Sequence, residues 1–262
     1  MTTIQRFLLP VLFVLGLAAA LTYATSAFAS HSWGSYHWAR TSNPFTLKLG
    51  DNVTTAWDSY LQTTSNAWSV SSVLDTTVVS GQGGRNCKAQ TGRIEVCNRT
   101  YGNNGWLGLA QIWISGSHIT KGVAKMNDTY FNQTAYNNPN EKLHVMCQEV
   151  GHLFGLGHTS ENGSSQGTCM DYSTDPASTL PNQHDYDQLA LIYAHLDSST
   201  TVGQSAARGA SAAAQSGNFD NASEWGKEIH RSADGHTSVF ERDLGHGNKL
   251  LTHVFWAEPR GH

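Results

Sequence analysis

Apolar and polar positions change their spacing several times along the chain, and each change marks an element. Phe45, Leu47 and Leu49 alternate with Thr46 and Lys48, which predicts a strand ending at the turn residues Gly50-Asp51-Asn52. Thr54 to Ser69 shifts to helical spacing, with Ala56, Trp57, Tyr60, Leu61 and Trp68 on one face. Val73 to Ser80 reads as a second strand, and Trp106 to Val123 as a long β-prone run. Helical period returns after Asn138: Leu143, Met146, Val150, Leu153 and Phe154 fall on one face, with Glu141, His144, Gln148 and His152 on the other. Residues 159–182 lack periodicity, and Asp185 to Leu196 predicts a last helix through Tyr186, Leu189, Ile192, Tyr193 and Leu196. Two alternating runs, Thr237 to Leu244 and Lys249 to Trp256, flank Gly245-His246-Gly247-Asn248 and predict a β-hairpin. A lone hairpin is marginal in water, so this tail has to dock on something.

The segment from Asn138 to His158 carries the candidate chemistry. Asn138 with Glu141 three residues on forms a capping box, and Pro139 takes the first helical position, where its missing N–H costs nothing. One helix face is expected to pack on a core and the other to open into a cleft. Gly155 suits a left-handed stop that swings His158 back towards the polar stripe. Positions i and i+4 of a helix, with a third ligand beyond a glycine turn, make a three-ligand metal site with one side open to water.

Gln148-Glu149-x-x-His152-x-x-Gly155-x-x-His158 closely resembles the metzincin zinc-peptidase signature, with glutamine in place of its first histidine. Cys169-Met170-Asp171-Tyr172 resembles that clan's methionine turn, and the order of elements over about residues 36 to 197 resembles a matrixin-like catalytic domain. The resemblance implies an α+β fold: a mixed twisted sheet with an early helix and an active-site helix, then an irregular lower subdomain with the turn at Met170 and a C-terminal helix. It implies Zn2+ held by Gln148, His152 and His158, with Glu149 as general base and Tyr172 ligating the metal or steadying the oxyanion. The implied activity is endopeptidase action on a peptide or protein substrate. A neutral amide is a poorer donor to zinc than imidazole, so Gln148 also admits a catalytically silent binding protein. His144 lies about 12 Å along the helix axis from His152, too far for joint ligation, and is expected to line the cleft or support a ligand.

Composition narrows the partners. Charged residues make up 14% of the 262, the net charge is −4 and no basic block occurs, which argues against nucleic acid. Residues 1–29 read as a secretory leader, with Arg6, an apolar run from Phe7 to Leu21 and a small-x-small site at Ala27-Phe28-Ala29. An exported chain with no stable membrane anchor after cleavage is expected. The expected units are then a catalytic domain over 30–197, a Ser/Ala/Gly/Gln linker over 198–219 and the hairpin tail over 220–262. Four cysteines in an exported protein imply disulfides. Cys87 and Cys97 flank a short polar segment and are expected to staple a local hairpin. Cys147 is then left for Cys169, a bond that would tie the helix to the turn.

Overall fold

The computed structural model describes residues 31–173, 175–205 and 219–258. The predicted leader and residues 206–218 of the predicted linker lie outside them.

The architecture is α+β, one large mixed sheet with few helices. In chain order the strands are β1 (His37–Trp38), β2 (Phe45–Asn52), β3 (Leu74–Ser80), β4 (Ile94–Arg99), β5 (Trp106–Ser115), β6 (His118–Asn127), β7 (Lys227–Arg231), β8 (Thr237–Gly245) and β9 (Asn248–Trp256). The helices are α1 (Asp58–Trp68), the single turn α2 (Asp128–Phe131), α3 (Pro139–His152) and α4 (Gln183–Ile192). Among the described residues the strands form one sheet in the order β3-β2-β4-β6-β5-β9-β8-β7, with β1 paired to β6. Pairing is parallel from β3 to β6 and antiparallel from there to β7.

The tail therefore docks on the sheet itself. β9 pairs along β5 from Ser115↔Asn248 to Trp106↔Trp256. This explains why β5 reads as a nearly continuous apolar run: both of its faces are covered. Leu107, Ala110, Ile112 and Ile114 join the main core beneath α1 and α3. On the back, Trp106 and Leu109 pack with Trp225, Val254 and Trp256, and the chain at Phe219 and Asp220 takes hydrogen bonds from Gln111 and Trp106.

Several expected boundaries move for local reasons. α1 starts at Asp58, because Thr54 is held by the Asn98 side chain (2.6 Å) and its carbonyl closes a turn onto the Trp57 N–H. α4 starts at Gln183, because Asn182 and Asp185 form a full capping box. It stops at Ile192, and side chains of Asn43 and Arg40 take the carbonyls of Tyr193 and His195 just beyond. Both expected disulfides are present, Cys87–Cys97 and Cys147–Cys169. The first does not close a hairpin: Cys87 follows a 3-10 turn, and Cys97 lies in β4 between β2 and β6.

Candidate metal centre

α3 is set by its cap and by two glycines. Asn138 Oδ1 accepts the Glu141 N–H at 2.9 Å. On β5, a Cβ at Gly108 would stand 2.5 Å from Val145 and 2.7 Å from Glu149 Oε1, so glycine lets the helix press its Glu149 side onto the sheet. On the other side, a Cβ at Gly151 would stand 2.5 Å from Met170 Sδ, which puts the methionine turn directly under the helix. Beyond His152 the chain reverses at Gly155, at φ +95°. His158 then returns to lie with its ring centroid 4.6 Å from that of His152.

The third member comes from the tail. Among the described residues, His152, His158 and His253 form a buried group whose ligand nitrogens lie within 4.8 Å of one another. His253 projects from β9, with its ring 4.0 Å from His152 and 4.9 Å from His158. Each ring has an outer nitrogen engaged. His152 Nδ1 donates to the Leu156 carbonyl at 2.9 Å, His158 Nδ1 meets the Tyr172 hydroxyl, and His253 Nδ1 meets Glu149 Oε2 at 3.0 Å. The inner nitrogens of His152 and His158 are 3.1 Å apart, while His253 Nε2 is buried without a hydrogen-bond partner.

Burial dominates the electrostatics. It lowers the His152 and His253 pKa values to about 3 and takes His158 well below the usual range, so all three rings are neutral at physiological pH. Burial also raises Glu149 to about 8. A carbonyl only accepts, so the proton of neutral His152 sits on Nδ1 and Nε2 presents a lone pair to His158. A proton or a metal ion must lie between those two nitrogens.

His152 and His158 meet as expected, and the other residues singled out from sequence make the following contacts. The Gln148 amide donates to the carbonyls of Cys169 (2.9 Å) and Asp171 (2.8 Å), gripping the methionine turn, while its Oε1 is buried without a hydrogen-bond partner. Tyr172 stands behind His158 and accepts from the Thr237 hydroxyl at 2.6 Å. Glu149 has one oxygen on His253 and the other, Oε1, buried and unpartnered. His144 Nδ1 bonds the Ser178 carbonyl, and its Nε2 lies 3.4 Å from the Gln148 amide nitrogen.

The expected open cleft is closed. Glu149, His152 and His253 have no exposed surface and His158 only 9%. Trp33 stacks on His152 at 5.0 Å with an interplanar angle of 5°, pinned by its N–H to the Gly155 carbonyl, while Gly157 N–H bonds the His31 carbonyl. The His152 end of the polar stripe is thus covered by the chain's own first described segment and by β9, while Gln148 lies under the methionine turn.

These donors fit zinc: neutral imidazoles with their outer nitrogens held, and buried acceptor atoms at His253, Glu149 and Gln148 left without partners. No family model matches the chain, and no curated protein matches it. No helix among the described residues is long and apolar enough to cross a membrane.

Proposed function

We propose that the chain is a zinc-dependent hydrolase of peptide bonds, built on metzincin lines but with His152, His158 and His253 as its imidazole set. The observation that carries this reading is the arrangement of the three rings, each braced at one nitrogen by a separate group and turned at the other towards a common point. Zinc bound there would supply Lewis acidity towards a carbonyl oxygen and an activated water.

The chain's own groups do the rest. Glu149 Oε2 lies 3.0 Å from His253 Nδ1, and as a carboxylate it would accept that N–H and fix the tautomer that offers Nε2. Glu149 Oε1 is free to take a proton from water and return it to the leaving amine, and a pKa raised to about 8 suits both directions near neutral pH. Tyr172, hydrogen-bonded to His158 Nδ1, is a positioning residue in this scheme. Gln148 contributes by holding the turn.

One observation favours a second reading, a silent exported binding protein: Trp33 closes the site. Zinc-saturated protein incubated with an unfolded polypeptide decides between the two. Hydrolysis should fall by roughly 10²-fold to 10⁴-fold in Glu149→Gln. Zinc retention should fall far more in His253→Ala than in Gln148→Ala, and Trp33→Ala should raise the rate. If zinc-saturated wild type and Trp33→Ala both leave the polypeptide intact, the hydrolase reading fails and the binding protein stands.

A further inference from the structure

We propose a second divalent-metal site of zinc class, formed by His37, His195 and Asp197, with His118 supporting the shared carboxylate. It shares no residue with the His152 group and does not depend on the function proposed above. The four residues come from distant parts of the chain: parallel pairing sets His37 of β1 opposite His118 of β6, and the segment after α4 brings in His195 and Asp197. Asp197 Oδ1 lies 3.3 Å from His37 Nε2, 3.2 Å from His118 Nε2 and 3.8 Å from His195 Nε2. His37 Nε2 and His195 Nε2 are 3.2 Å apart, and the donor atoms of His37, His195 and Asp197 all lie within 4.8 Å of one another.

Hydrogen bonding around the cluster sets its charge. His37 Nδ1 lies 2.7 Å from the Ser35 carbonyl, which must accept, so in the neutral ring Nε2 is a lone pair facing both a carboxylate oxygen and another imidazole. That lone pair stands 3.3 Å from the carboxylate oxygen, an approach of two acceptors that a cation between them would relieve. Asp197 is already balanced on its other oxygen, where Oδ2 takes the Arg40 guanidinium at 2.9 Å and the Arg40 N–H at 3.1 Å. Two imidazoles with one carboxylate match zinc or its first-row neighbours better than calcium or magnesium, which take oxygen. Solvent reaches the site: the His195 side chain is 54% exposed and, with His37, lines a surface cavity of about 440 Å³. An ion here would clip β1, and with it the segment bearing Trp33, to the chain beyond α4.

Calorimetric titration of the full-length protein with zinc tests this, with His195→Ala as the first variant because its ring is exposed. Wild type should bind two equivalents; His195→Ala should lose one while keeping the melting temperature of the metal-free protein, and His253→Ala should lose the other. His118→Ala, the second variant, should weaken the His195-dependent equivalent by about tenfold or more. One equivalent, lost in His195→Ala and kept in His253→Ala, would uphold this site and remove the His152 centre. Zinc uptake in His195→Ala equal to wild type would overturn the proposal, leaving a plain ion pair among Asp197, Arg40 and the histidines.

Discussion

His253 reaches the candidate metal centre through the two-residue period of a strand. Leu251 and Phe255 face the main core, so the ring between them enters the same interior. Burial then sets its titration and that of His152. An exposed histidine site loses metal as pH falls through about 6.5, because protons compete for the same lone pairs. With both pKa values lowered to about 3, protons compete here only in much stronger acid. Zinc affinity measured by equilibrium dialysis should therefore change little between pH 7.5 and 5, where an exposed three-histidine site would lose over about a hundredfold. The sign for the metal-free fold follows from the same shifts. The unfolded chain takes up protons on these two histidines from about 6.5 downwards and the folded one does not, so their contribution to stability is lost as pH falls from there towards 3. His152 and His158 were legible in the sequence because a single glycine turn joins them. His253, 104 residues from its partner Glu149, offered only a histidine in an apolar strand, and the commoner explanation of that pattern is a satisfied core residue.

At the scale of elements, α3 lies between the sheet and the methionine turn with no slack. Gly151→Ala would gain about 1 kcal/mol of helix propensity, but the new methyl would stand 2.5 Å from Met170 Sδ and 2.6 Å from Trp68 Cζ2. Trp68 has no exposed surface, and its indole N–H is bonded to the Cys147 carbonyl, so it has nowhere to retreat. Overpacking of this kind costs about 1–3 kcal/mol, and a net loss in the denaturant midpoint is expected. The helix was readable from its cap and period, both local. What covers its polar face was not, because the Trp33 segment and β9 arrive through long-range contacts that leave no periodic trace. The start of α4 was legible in principle: Asn182 followed by Asp185 is a capping pair upstream of the apolar period, and the strength of that period drew the boundary too far along.

At the scale of the molecule, the tail is part of the sheet. A chain ending at residue 205 would leave β5 without β9, strip Trp225 from the back of the sheet and remove His253. An unpaired apolar edge of that length invites pairing between molecules. The truncated protein should self-associate by light scattering and fail to retain zinc at the His152 centre. The pairing of β9 with β5 also imposes an order in time. A nascent chain that has emerged only as far as the methionine turn holds two of the three imidazoles, and the candidate group is complete only after β9 has been made and has folded home.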